Sequence, residues 1–242
     1  MTTLDGALLA AITLLAYTAQ SITGFGSTVI TVTLAALFLP IPLVMPVAVM
    51  LNIPFCTWII ARERDAISWS ILLREILPLM VIGVLVGVLS ATSLESINLK
   101  RPLGAIIVVL ASLELHRLYM RRDHHPPALL RRALMLASGF MQGLYATGGP
   151  LLATAMAGSG LSRSARRATM TVVWLTLNTA LTVHYFRSGR FTPEMLWLST
   201  WLLPLTGIGL WLGIWLHDRI NENQFRFLVN LLLLITGTAL LR

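Results

Sequence analysis

The chain has 242 residues, 56% of them hydrophobic and 12% charged, with a net charge of +8 and a mean hydropathy of +0.79. Soluble domains carry about 25% charged residues. Here long apolar blocks alternate with short charged clusters, which excludes a large soluble core and points to an all-α polytopic membrane protein. The positive charge does not call for nucleic acid, because arginine gathers in cytoplasmic loops and no soluble region carries a basic face.

A membrane barrel would alternate in polarity over segments of about ten residues. The blocks Ile71 to Leu94 and Arg226 to Leu241 do not alternate. Cys56 is the only cysteine, so neither an internal disulfide nor a cysteine metal cluster is expected. Met1 to Asp5 lacks a basic n-region, so the first apolar segment is expected to remain in the mature protein.

The first apolar block runs from about Gly6 to Leu39 and is interrupted at Thr23-Gly24-Phe25-Gly26. Each arm has roughly 14 to 17 residues, about 21 to 26 Å of helix and short of a bilayer core of about 30 Å. A backbone break at membrane depth is tolerated only where it is buried in protein or lines a wet cavity. The arms are therefore a re-entrant hairpin or two thin spans. Pro40-Ile41-Pro42 ends the second arm. Spans follow from about Leu43 to Ala61, Ile71 to Ala91 and Pro102 to Tyr119. Between them lie Arg62-Glu63-Arg64-Asp65 and a polar turn with Glu95, Asn98, Lys100 and Arg101. The basic stretch Arg121-Arg122-Asp123-His124-His125-Pro126-Pro127 marks a boundary. It gives a first repeat over 1–120, a cytoplasmic linker over 121–132 and a second repeat over 133–242.

The second half repeats the order. Arms at about Leu129 to Leu144 and Leu151 to Gly160 flank a break at Gly148-Gly149-Pro150, and spans follow at Ala168 to Phe186, Met195 to Leu216 and Phe225 to Leu241. Three matches share one offset of 126: Pro78 with Pro204, Gly83 with Gly209, and Asn52 with Asn178. Gln20 and Gln142 are 122 apart. If each pair of arms returns to its side of entry, each half crosses an odd number of times and the repeats are inverted. With both termini periplasmic, 13 of the Lys and Arg residues then lie inside against 5 outside, the expected bias. Inverted repeats place a transport site near the midplane between them.

These residues resemble a family. Thr23-Gly24-Phe25-Gly26-Ser27 after a first apolar arm, Asn52 in the next span, and their echo at Gly148-Gly149-Pro150 and Asn178 are similar to the TauE/SafE sulfite exporters. The resemblance covers nearly the whole chain. It implies a bacterial inner-membrane transporter of sulfur-containing anions such as sulfite, sulfoacetate or related organosulfonates.

Such anions carry several acceptor oxygens, so a low-dielectric site needs donors more than fixed charge. The N-terminus of a half-helix supplies unpaired N–H groups and partial positive charge. The second arms begin at the glycine breaks, and inverted repeats would aim the two N-termini at each other. The candidate binding residues are Gln20, Thr23, Gly24, Gly26, Ser27, Asn52, Gln142, Tyr145, Thr147, Gly148, Gly149 and Asn178. The competing reading makes Asn52 and Asn178 cross-links between helices. Gly83 with Gly87 and Gly209 with Gly213 read as small-residue packing pairs. Trp174 and Tyr145 could pack against a ligand's carbon chain, while Trp69, Trp197 and Trp201 read as interfacial belts. Glu75, Glu114 and His184 are the candidates for proton coupling, with span-end solvation the competing reading, and His116, His124 and His125 read as loop residues.

The expected function is a secondary exporter of a small sulfur-containing anion. A passive anion channel, or a permease for another small anion, is the alternative. No Walker A string is present, and neither enzyme activity, metal nor cofactor is expected. The implied partners are a small anionic substrate and the lipid bilayer. Proton coupling and a homo-oligomer are compatible with this reading.

Overall fold

A computed structural model describes residues 3–93, 99–120, 126–157, 159–217, 219 and 221–242. Residues 121–125 of the expected linker, with His124 and His125, and the turn residues Glu95 and Asn98 lie outside them. All elements among the described residues are helical: α1 (Thr3–Thr23), α2 (Ser27–Ala35), α3 (Ile41–Glu63), a 3-10 turn (Arg64–Ala66), α4 (Trp69–Ile71), a π-helical turn (Leu72–Ile76) that leads into α5 (Leu77–Ser93), α6 (Lys100–Met120), α7 (Ala128–Tyr145), α8 (Gly149–Ala155), α9 (Arg163–Arg187), α10 (Pro193–His217) and α11 (Glu222–Leu240). Five of the helical stretches are long and apolar enough to cross a membrane. Polarity is distributed as lipid demands. Leu85, Leu89, Trp211 and Leu228 face outward, whereas Thr13, Gln20, Asn52, Gln142 and Asn178 are buried.

The arms are unequal, contrary to the expectation of two similar ones. α1 has 21 residues, about 31 Å at 1.5 Å each, whereas α2 has 9 and α8 only 7. α1 starts at Thr3, because nothing between Thr3 and Thr23 stops a helix. α2 stops at Ala35, where the chain turns ahead of Pro40, which is extended at φ −72° and ψ 136° and opens α3. α9 begins at Ser162, whose Oγ accepts from the Ala165 N–H at 3.1 Å, one of the orphan donors of the first turn.

The most extensive packing joins the two halves of the chain: α5 with α7, α1 with α10, α6 with α11, and α3 with α9. α3 and α9 run antiparallel, since Glu63 meets Arg167 and Asn52 meets Asn178. α5 and α7 run parallel, as do α10 and α1, and glycines set both contacts. A β-carbon on Gly83 would strike the Leu136 carbonyl oxygen, and one on Gly139 the Met80 carbonyl oxygen. Gly209 and Gly213 lie as tightly against Tyr17, Thr18 and Ser21. Gly139→Leu is therefore expected to destabilise the protein by about 3 kcal/mol, the upper end for overpacking, and to lower the thermal-unfolding midpoint in detergent. Gly207→Ala, where nothing lies within 4 Å, should not lower that midpoint and should raise it slightly, because alanine favours a helix interior over glycine by about 0.5 to 1 kcal/mol.

The ion pairs Arg167–Glu63, Arg131–Glu75 and Arg226–Glu114 cluster where α3 and α6 end and α7, α9 and α11 begin. Glu75 and Glu114, candidates for proton coupling, are thus each bound to an arginine. The opposite end holds a cavity of about 570 Å³ lined by Pro40, Ile41, Lys100, His184 and Arg190 among others.

Candidate functional site

Each half supplies a helix that stops, a tight turn, and a short helix that starts again inside the protein. In the first half α1 ends at Thr23, and Gly24 and Gly26 adopt φ +82° and +110°, the left-handed region that glycine enters without a Cβ penalty. Thr23 Oγ1 lies 2.9 Å from the Ala19 carbonyl oxygen and 2.7 Å from that of Phe25, so this hydroxyl holds the turn. In the second half the left-handed residue is Ala146, at φ 57°. Gly148 and Gly149 are there for space rather than for conformation. Gly148 has φ −68° and lies against the Ser138 carbonyl, and a β-carbon on Gly149 would lie 3.2 Å from the Phe25 ring and 3.7 Å from the Gly26 nitrogen. The two turns touch, so the N-terminal ends of α2 and α8 meet.

A chain of four amide side chains crosses this junction. Gln142 Oε1 accepts from the Gly148 N–H at 3.1 Å, and Gln142 Nε2 donates to Asn178 Oδ1 at 2.7 Å. Asn178 Nδ2 donates to Asn52 Oδ1 at 2.8 Å. Asn52 Nδ2 donates to Gln20 Oε1 at 2.9 Å and to Ser27 Oγ at 2.8 Å. Gln20 Oε1 also accepts from the Ser27 N–H at 3.3 Å. The backbone N–H groups at both ends can only donate, so they dictate which way every amide between them faces. Cys56 closes the group, its Sγ 2.9 Å from Asn52 Oδ1. Asn52 is the twelfth of 23 residues in α3 (52 − 41 + 1), so the chain lies at that helix's mid-length.

The consequence is chemical. All four amide oxygens accept hydrogen bonds from protein donors. Each amide nitrogen carries two N–H donors, and Asn178 and Gln142 use one each in this chain. The junction is rich in donors and contains no carboxylate. Beside it lies a cavity of about 10 Å³, lined by Gln20, Gly26, Thr28, Val29, Asn52, Gly149, Trp174 and Asn178. That is room for roughly one water molecule.

The structure therefore brings together Gln20, Gly26, Asn52, Gly149 and Asn178 of the expected residues at the cavity, with Ser27, Gln142 and Gly148 hydrogen-bonded behind them. Thr23 serves the turn. Gly24 lies against the Arg167 side chain, where a β-carbon would sit 2.9 Å from its Cγ. Tyr145 and Thr147 are buried but do not line the cavity. Thr28, in the first turn of α2, lines the cavity as well; Val29, which also lines it, and Cys56, bonded to Asn52, are additions from the structure. Their types carry no signal, and only the fold places them there.

Arg167 stands just ahead of the span at Ala168 to Phe186, where sequence alone reads it as a loop charge. Its Nε donates to Glu63 Oε2 at 3.2 Å, a second guanidinium nitrogen bonds Oε1, and NH1 donates to the Ser21 carbonyl at 3.3 Å. This bidentate pair joins α3 to α9 below the cavity. At the 126-residue offset Glu63 corresponds to Gly189 and Arg167 to Ile41 (63 + 126 and 167 − 126). These two positions thus hold no equivalent pair, and Ile41 lines the large cavity at the opposite end.

A protein-family model described as sulfite exporter TauE/SafE matches residues 9–240. No curated protein and no solved structure matches the chain.

Proposed function

The chain belongs to the sulfite exporter TauE/SafE family, and from that membership we propose that it is a secondary transporter exporting sulfite, sulfoacetate or a related organosulfonate across the bacterial inner membrane. The observation that carries this reading is the donor-rich junction. Two helix starts meet beside four amides whose oxygens are already hydrogen-bonded, and no charged side chain lines the cavity. An anion is the ligand such a site suits. Neutral donors in low dielectric bind it without the cost of leaving a buried charge empty between cycles.

The two halves are read as inverted repeats around this site. The antiparallel crossing of α3 and α9 at Asn52 and Asn178 supports that reading, as does the matched packing of α1 on α10 and α7 on α5. The arginine-rich end then faces the cytoplasm, and the 570 Å³ cavity is a periplasmic vestibule. A 10 Å³ cavity admits no anion of this class, so passage requires rearrangement, which favours a carrier over a passive pore.

Proteoliposome flux is the test. Preloaded sulfite and sulfoacetate should each show saturable efflux with counterflow. Absence of saturable flux, together with no thermal stabilisation by either anion, would end the proposal.

A further inference from the structure

Trp174 adds something the paired amides cannot. It lies one turn before Asn178 on α9, so both side chains share a helix face. It lines the small cavity and is only 5% exposed. Its indole Nε1 is buried with no hydrogen-bond partner. A buried donor without an acceptor is costly and rare in folded proteins, and here it belongs to a wall of a polar cavity at the junction of the two breaks.

The repeat sharpens the point. Asn52 and Asn178 correspond at an offset of 126, as do Gln20 and Gln142 at 122. Trp174 corresponds to Ala48 (174 − 126), a buried methyl with no donor. The amides come in matched pairs and by themselves offer an anion two similar orientations. Trp174 is on one side only.

Resting on the transport reading above, we propose that the Trp174 indole N–H is a ligand-binding donor that receives one oxygen of the transported anion and sets its orientation and selectivity. No protein acceptor meets this donor, and the anion supplies one.

The test uses the full-length protein and sodium sulfite. Trp174→Phe keeps an aromatic ring and removes the N–H. Sulfite binding should weaken by about 10- to 100-fold, the range for a hydrogen bond to an ionised group. The half-saturating concentration for flux should rise by the same factor, with the maximal rate nearly unchanged. Labelling all seven tryptophans with indole ¹⁵N gives a readout that a packing role would not move. Sulfite should shift one indole resonance of the wild type, and that resonance should be missing from the variant. If the variant does not fold, the wild-type spectrum decides alone, since a sulfite titration that moves no indole resonance overturns the proposal. Unchanged sulfite affinity in a folded Trp174→Phe overturns it too, while leaving the transport reading standing. Wild type that neither binds nor moves sulfite or sulfoacetate removes the transport reading and this inference together.

Discussion

Asn178→Asp is expected to abolish sulfite binding while preserving side-chain volume. Asn178 Nδ2 donates to Asn52 Oδ1, and Asn178 Oδ1 accepts from Gln142. An aspartate in this position keeps the acceptor, loses the donor and sets a second oxygen against Asn52 Oδ1. It also places negative charge in a cavity otherwise lined by neutral donors. Both changes act against an anion. A lost hydrogen bond to a charged ligand is worth about 1.5 to 3 kcal/mol, and like-charge juxtaposition adds several more. The predicted loss therefore exceeds about a thousandfold, since 1.4 kcal/mol is tenfold. Asn52→Ala should be milder in binding and harsher in stability. It strips partners from Gln20, Ser27, Cys56 and Asn178 at once, and each buried group left unsatisfied costs about 1 to 3 kcal/mol. Isothermal titration with sulfite, paired with thermal unfolding of the same samples, separates the two effects. Wild-type affinity in both variants would make the asparagines structural cross-links.

Much of this site can be read in the sequence because of a contrast in solvent. An asparagine in an apolar span needs a partner, and two of them at a constant offset suggest each other. Glycines inside an apolar block likewise announce a turn or a close approach. The contrast fails where the same residue type serves two purposes. At the second break Gly148 and Gly149 read as the turn, yet Ala146 makes it and the glycines make room for Ser138 and Phe25. It fails again where composition is uniform. Ala36 to Leu39 is as apolar as α2 itself, so nothing in composition ends the short helix at Ala35. Charged residues near span ends are the hardest case. Arg167 and Glu63 each read as solvated, and only the antiparallel crossing of α3 and α9 brings them together under the cavity.

That pair carries the largest expected effect on conformation. Arg167 and Glu63 are 24% and 22% exposed at their side chains, and the guanidinium also holds the Ser21 carbonyl at the end of α1. One side chain thus ties α1, α3 and α9 at the end opposite the 570 Å³ cavity. Glu63→Gln keeps the shape and removes the charge, so closure at that end should weaken by about 2 kcal/mol, discounted from the 3 to 5 kcal/mol of a fully buried pair. A two-state equilibrium then shifts by about thirtyfold. Cys56 supplies the reporter. It is the only cysteine, it is fully buried, and it lies two turns from Glu63 on α3, between the latch and Asn52. Opening at the arginine-rich end would expose it. Its labelling by a permeant maleimide should therefore accelerate by about thirtyfold in Glu63→Gln, in proportion to the open population. The exchange Glu63→Arg with Arg167→Glu should slow labelling again by restoring the pair. Equal labelling rates in wild type and Glu63→Gln would reduce the pair to a surface contact and place the moving element elsewhere.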